Sequence, residues 1–317
     1  MSTSHKINPG IKTNNDTGFG TNASSYGSRF INKDGTFNLR KEGLSIIKRF
    51  SIYQRMLNLP RWKFIAIIAL FYVIINLLFT IGYFVIGDDQ LRGLIATSPW
   101  GRFKEIYFFS TQTFTTVGYG RVNPAGDGAN MLSSIEALTG FLSFAIATGL
   151  IYGRFARPRS YLAFSEHALI SPYKDKTALM FRFVSYKDNH VLTNVEIKVN
   201  VALKVQENNK SVYRFYDLEL ERYKVDNLPM NWTVVHAINE NSPLLGFSYD
   251  DLVASDVELY VLIIGFDDVF SSHVLQRTSY TFQEMKVNAK FIPMYRESDD
   301  GKTTILELHK LNQYVML

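Results

Sequence analysis

Thr113-Phe114-Thr115-Thr116-Val117-Gly118-Tyr119-Gly120 decides how this chain folds, because of what lies on either side of it. Taken alone, Gly118-Tyr119-Gly120 reads as a turn. It follows Trp100 to Thr113, however, a stretch of helical composition with half the length needed to cross a bilayer, and it runs on to Pro124. A half-length helix followed by irregular backbone reads as a re-entrant loop. Irregular backbone survives at membrane depth only where protein or water satisfies its polar groups, so the loop should line a cavity.

The flanks supply the membrane. Phe64 to Gly87 has no charge and is roughly 36 Å long as a helix, enough to cross a hydrocarbon core of about 30 Å with some tilt. Asn130 to Phe155 is a second span, with Gly140, Ala145, Ala147 and Gly149 allowing close helix approach and one carboxylate, Glu136. Before the first span, Leu44 to Leu57 mixes Leu44, Ile47, Ile52, Met56 and Leu57 with Lys48, Arg49 and Arg55, as expected of an interfacial helix ended by Pro60.

The mean hydropathy of -0.04 averages two unlike halves, since nearly all strongly apolar sequence lies between Trp62 and Gly153. The absence of cysteine excludes disulfides, thiolate metal sites and a cysteine nucleophile. Within the net charge of +5, basic residues crowd the ends of the spans: Arg40, Lys41, Lys48, Arg49, Arg55, Arg61 and Lys63 before the first, Arg154, Arg157 and Arg159 after the second. Asp88 to Ala129 is neutral overall. The positive-inside rule then puts both termini in the cytoplasm and the short connection outside, and the expected location is the cell (inner) membrane. The first forty residues lack an apolar signal region, which agrees with a retained N-terminus. A nucleic-acid reading of the basic excess is the weaker one.

After Pro158, short alternating runs separated by polar turns read as strands: Tyr161 to Ile170, Ala178 to Ser185, Val195 to Val205, Val212 to Val225, Asn231 to Ala237, Val257 to Gly265 and Val274 to Phe282. Asn208 and Asn209 suit a hairpin turn, and about seven short strands predict a β-sandwich. The expected organisation is a flexible cytoplasmic N-terminus (1–42), an interfacial slide helix (43–60), a membrane α-helical pore domain with a re-entrant pore helix (61–158) and an all-β sandwich domain (159–317).

Thr116, Val117, Gly118, Tyr119 and Gly120 spell the carbonyl filter of potassium channels, a recognition that physical chemistry supports. A potassium ion entering a pore loses water, and rings of backbone carbonyls replace that shell. Gly118 and Gly120 permit the necessary backbone, Thr116 adds a hydroxyl, and Val117 and Tyr119 pack outward. One chain supplies a quarter of such a ring, so a homotetramer is implied, with potassium at the filter the expected metal and no other cofactor.

The order interfacial helix, span, half helix, filter, span, β-rich domain resembles the inward-rectifier potassium channel family, most closely its prokaryotic KirBac-type members. The resemblance covers about Leu44 to Phe291. It rests further on Gly149, Arg154, Phe155, Ala156, Arg157 and Pro158, on Trp232-Thr233-Val234-Val235-His236, on Ser242-Pro243-Leu244 and on Arg277-Thr278-Ser279-Tyr280. It implies an immunoglobulin-like cytoplasmic domain, four of which extend the ion path.

Phe144, Thr148 and Tyr152 are spaced by four and share a helical face, read as pore-lining, with aromatic packing against lipid or a neighbouring helix as the alternative. The resemblance puts the gate at Tyr152 and sets Phe144 where strongly rectifying relatives carry an acid. Ile264 stands where they carry a glutamate, and Thr193 or Asn194, with Glu196 nearby, where they carry another acid, so weak rectification is expected. Thr115, Gln112 and Glu136 are candidate filter supports. Gln112 lies where many relatives place a glutamate, and Arg121 comes one position before its usual basic partner. For Glu136, a hydrogen-bonded structural role and a cavity-facing electrostatic one both stand. Gly265, Phe266 and Asp267 begin a stretch resembling the family's cytoplasmic constriction, while Asp267 and Asp268, as adjacent loop acids, read as solvated. Arg61, Trp62, Lys63, Arg154, Arg157 and Arg159 are candidates for anionic lipid headgroups such as phosphoinositides.

A membrane-anchored enzyme is the rival class. The chain has no phosphate-binding glycine loop, zinc motif or serine elbow, and its six histidines lack paired spacing. A two-span channel with a nucleotide-binding domain would alternate strands and helices, and two spans leave no voltage-sensing helix.

Overall fold

The computed structural model describes residues 11, 13–14, 29–45, 51–188, 190–207 and 210–317. The chain divides into two units, residues 43–157, and residues 158–317 with the N-terminal 42.

In the first unit, α1 (Ile52–Asn58) precedes α2 (Arg61–Ile86), α3 (Pro99–Phe114) and α4 (Asp127–Phe155), and a short ribbon pairs β1 (Leu91–Arg92) with β2 (Asn123–Pro124). Both α2 and α4 are long and apolar enough to cross a membrane. Among the described residues, the expected interfacial helix is seen over Ile52–Asn58. Ser51 accepts a hydrogen bond from the Gln54 amide and starts α1 at Ile52, so Leu44 and Ser45 are not helical, and residues 46–50 lie outside the described ones. Leu59 is extended because Pro60 follows it. Ser98 caps α3 in the same way, with Pro99 in its first turn. At Gly140 of α4 a Cβ would sit 1.9 Å from the Phe114 carbonyl oxygen, so only glycine lets α4 touch the end of α3.

The second unit is a sandwich of two five-stranded sheets. Its strands are β3 (Leu162–Phe164), β4 (Ala168–Tyr173), β5 (Lys176–Ser185), β6 (Leu192–Glu207), β7 (Lys210–Asp217), β8 (Lys224–Leu228), β9 (Trp232–Ile238), β10 (Glu258–Asp267), β11 (Ser272–Thr281) and β12 (Met285–Val287), with α5 (Tyr249–Ala254) before β10. One sheet runs β11-β10-β6-β7 with β8 also on β6; the other runs β12-β4-β5-β3 with β9 also on β5. Every pairing is antiparallel except β12 with β4. The alternation visible in sequence becomes burial: Trp232, Val234, His236 and Ile238 of β9, and Leu259, Val261 and Ile263 of β10, face inward.

Two expected strands each divide in two, Tyr161 to Ile170 into β3 and β4, and Val212 to Val225 into β7 and β8. Four more follow β12: β13 (Ala289–Phe291), β14 (Tyr295–Glu297), β15 (Thr304–Leu306) and β16 (Tyr314–Met316). At three residues each they carry no readable period. The Asn208-Asn209 turn lies outside the described residues; the flanking pair is Glu207 with Lys210.

Arg182 of β5 fastens this C-terminal segment. Its buried guanidinium donates to the carbonyls of Leu311 and Ile292, both at 2.7 Å, and to those of Lys310 and Gln313, and it lies over the Phe291 ring. Burial lowers its pKa to about 10.

The N-terminus was expected to be flexible through residue 42, and the structure corrects this over residues 29–38. Phe30 is buried against Tyr213, Phe215 and Tyr260, and its amide donates to the buried Glu258 carboxylate. Arg29 pairs with Glu284, and the Lys33 ammonium lies 3.5 Å from the Tyr280 ring centroid. An apolar anchor flanked by two cations with fixed partners outweighs the entropy of a polar, glycine-containing segment.

Candidate functional site

The site begins where α3 stops. Its last carbonyls accept amides of the following residues: Thr113 from Thr116 at 3.0 Å, and Gln112 from Val117 at 2.9 Å and Gly118 at 3.3 Å. Thr115 donates its hydroxyl to the Thr111 carbonyl at 2.7 Å. The backbone then alternates in hand. Thr116, Gly118 and Gly120 have φ of 59°, 52° and 83°, whereas Val117 and Tyr119 stay at negative φ. Such alternation turns successive peptide planes the same way, which gathers carbonyls along one edge. Glycine adopts positive φ without strain, and Thr116 is held there by the bond to Thr113. Val117 and Tyr119 are exposed on the single chain.

Behind this strand lies a cavity of about 400 Å³ lined by Gln112, Thr113, Ser133, Ser134 and Ala137. Gln112 contributes its carbonyl to the strand, and the basic residue after the strand pairs elsewhere. Arg121 Nη1 is 2.8 Å from Glu105 Oε1, two turns up α3 from Gln112. Glu105 was missed in sequence, where it counted only toward the neutral charge of the connection.

Glu136 is fully buried. Tyr83 of α2 donates to its Oε2 at 2.6 Å, and Ser110 of α3 donates to its Oε1, with the Asn76 side-chain oxygen 3.1 Å from the same hydroxyl. This favours the hydrogen-bonded alternative over the cavity-facing one, because the carboxylate ties both long helices to α3.

Phe144, Thr148 and Tyr152 are exposed along α4, with Phe141 and Phe155 exposed on the same face and Ile146 on the opposite one. Arg61, Trp62, Lys63 and Arg159 are also exposed. Arg154 and Arg157 are engaged, which changes their reading. Arg154 donates to the carbonyls of Met56, Leu57 and Leu59, at 2.8, 3.2 and 2.8 Å, and so caps α1, while Arg157 reaches the Asn58 side chain.

In the β unit, Gly265, Phe266 and Asp267 lie within β10 rather than in a loop. The solvated reading of Asp267 is wrong. The residue is fully buried, accepts the amides of Val269 and Phe270, and stands 3.0 Å from His190 Nδ1, so it holds the β10–β11 turn; Asp268 is exposed as expected. Glu196 pairs with Lys224 and faces Ile264 across the sheet.

Residues 162–316 match the inward rectifier potassium channel C-terminal domain, and residues 72–157 match the ion channel family. The chain is 32% identical over 288 residues to the inward rectifier potassium channel Kirbac3.1 of Paramagnetospirillum magnetotacticum, covering 90% of this chain and 95% of that one. It is 24% identical to the ATP-sensitive inward rectifier potassium channel 12 of Gallus gallus, over 89% and 71% of the two chains. To the G protein-activated inward rectifier potassium channel 2 of Mus musculus it is 25% identical, over 86% and 68%.

Proposed function

The chain belongs to the inward rectifier potassium channel family, as a prokaryotic KirBac-type member, and on that premise we propose that four copies conduct potassium through a filter of Thr116, Val117, Gly118, Tyr119 and Gly120. The family is one of membrane ion channels and not of enzymes, and potassium is what permeates it. The observation that carries the filter assignment is the alternating sign of φ from Thr116 to Gly120 at the end of a half-length helix. In a ring of four such strands, carbonyls replace the water an entering ion loses.

In this reading Thr115 and Gln112 hold the inner end of the filter, and Glu136 fixes α3 between the spans. Phe144, Thr148 and Tyr152 line the path below, with Tyr152 at the gate, where four aromatic rings close it by excluding water. Gly265 and Phe266 belong to the cytoplasmic constriction. Phe144 and Ile264 carry no charge to attract polyamines or magnesium, which supports weak rectification. Exposed Arg61, Trp62, Lys63 and Arg159 support contact with anionic lipid, whereas Arg154 and Arg157 act by fastening α1 to α4. Both termini are cytoplasmic, in the inner membrane.

The test is ion flux into liposomes holding the purified protein, with potassium against sodium, barium as blocker, and phosphoinositide present or absent. Barium-sensitive, potassium-selective flux is expected, and the lipid arm gives the sign of modulation. Unselective flux from tetrameric protein overturns the filter assignment.

A further inference from the structure

We propose that Glu105 is the positioning residue for the outer half of the filter, acting through Arg121 and through the loop before α3. This inference rests on the functional reading above. The inner half of the strand is tied to α3, since Thr116, Val117 and Gly118 all donate to its last carbonyls. Among the described residues, none makes a hydrogen bond to the backbone of Tyr119 or Gly120. Within one chain, the hold on the outer end is therefore the next residue, Arg121.

Arg121 is held on two sides. Its carbonyl oxygen lies against Gly93, where a Cβ would come within 1.8 Å, and Gly93 has φ of +89°, so both the close approach and the backbone conformation require glycine there. Its guanidinium pairs with Glu105 at 2.8 Å. The other oxygen of Glu105 accepts the amides of Ile95 and Ala96, at 2.9 and 3.1 Å. The Glu105 side chain keeps only 14% of its accessible surface, against 51% for Arg121, so the pair is anchored at its acidic end. One carboxylate thus joins the pore helix, the loop at 95–96 and the filter exit. By contrast, Arg102 pairs with Asp88 at 2.7 Å and donates to the Ala96 carbonyl at 3.3 Å in the same connection, without touching Arg121 or the filter strand.

A charge-assisted bond from a mostly buried acceptor is strong enough to hold a backbone whose own amides are unpaired. Without it, Tyr119 and Gly120 would sample spacings that no longer distinguish potassium from sodium. A mere charge effect at the outer mouth would act alike on both monovalent ions and leave their ratio unchanged, which separates positioning from electrostatic attraction.

The experiment measures the potassium-to-sodium permeability ratio of the full-length tetramer in liposomes for wild type, Glu105→Gln, Arg121→Gln, the double variant, Arg121→Lys and Arg102→Gln. Expected is a fall of roughly five- to tenfold in each single variant. The double variant should fall no further, because the two residues act as one unit. Arg121→Lys, which keeps the charge, and Arg102→Gln should stay near wild type. Wild-type ratios in both single variants, or additive losses in the double variant, would overturn the inference while leaving the channel reading intact. An unselective wild type would overturn the functional reading and this inference with it. Should Glu105→Gln fail to assemble, Arg121→Gln, altered at the exposed end of the pair, decides the question alone.

Discussion

In α2 and α4 the buried side chains include Asn76, Thr80, Tyr83 and Glu136, while Ile65, Leu70, Phe71, Leu142 and Ile146 point outward. In β9 and β10 the order is reversed, with Trp232, Val234, Leu259, Val261 and Ile263 inside. The same chain therefore solves two solvation problems. Where lipid covers the outside, apolar side chains gain nothing by turning inward, and packing is specified by hydrogen bonds and small residues. In water, the sandwich is driven by apolar burial and its polar groups act locally. The contrast predicts which substitutions each unit tolerates.

The largest effect should come from Glu136→Leu, which leaves the Tyr83 and Ser110 hydroxyls without their buried acceptor and destabilises the membrane unit by about 4 kcal/mol. Glu136→Gln, which retains an acceptor, should cost much less. Thermal unfolding of the detergent-solubilised protein reads the difference, and an equally tolerated leucine would break the contrast.

Next is Arg182→Leu. The β unit is mainly apolar in its core, yet this one cation satisfies four carbonyls of the C-terminal segment. Their loss should cost about 3 kcal/mol and raise hydrogen exchange over residues 289–317. Unchanged exchange there would show the segment is held by Met294 and Leu311 packing on Val184 instead.

A smaller, pH-dependent effect is expected at Glu258. Burial raises its pKa from 4.5 to about 7, so the folded state binds a proton that the unfolded state releases between those values. Stability from this group is therefore lost as pH rises from 4.5 to about 7 and is constant above. Glu258→Gln should gain up to about 2 kcal/mol at pH 8 and little at pH 5. His236 works in the opposite sense: burial lowers its pKa below 6.5, and stability falls as pH drops below that value. Its contribution is shared by both proteins and cancels in the comparison. Denaturation at the two pH values checks the sign. The smallest effect is Lys224→Gln, which removes an exposed pair with Glu196 and should cost less than about 1 kcal/mol.

The membrane unit was the more legible half. Phe64 to Gly87 and Asn130 to Phe155 announce themselves by length and lack of charge, and Gly140 marks a helix contact by residue type alone. The pairing of Glu136 with Tyr83, 53 positions away, has no local signature. In the β unit alternation gave the long strands, but three-residue strands have no period, and strand order depends on contacts far apart in sequence. Docking of residues 29–38 had one signal, the adjacent Phe30 and Ile31 in an otherwise polar stretch, and the rings that Phe30 packs against lie more than 180 residues away. Asp267 was misread because a run of two acids looks alike whether solvated or folded over a turn. The filter residues were legible as a motif, while the left-handed Thr116 was not, since its conformation comes from the bond to Thr113 rather than from residue type.

The most direct test of the filter is the potassium-to-sodium permeability ratio of wild type against Gly118→Ala in liposomes. Gly118 has φ of 52° and no atom within 4 Å of an added Cβ, so the substitution acts through backbone conformation and not through a clash within the chain. A selective wild type and a variant that has lost selectivity or conduction are the predicted results. Undiminished potassium selectivity in Gly118→Ala would contradict a filter built on alternating backbone hand.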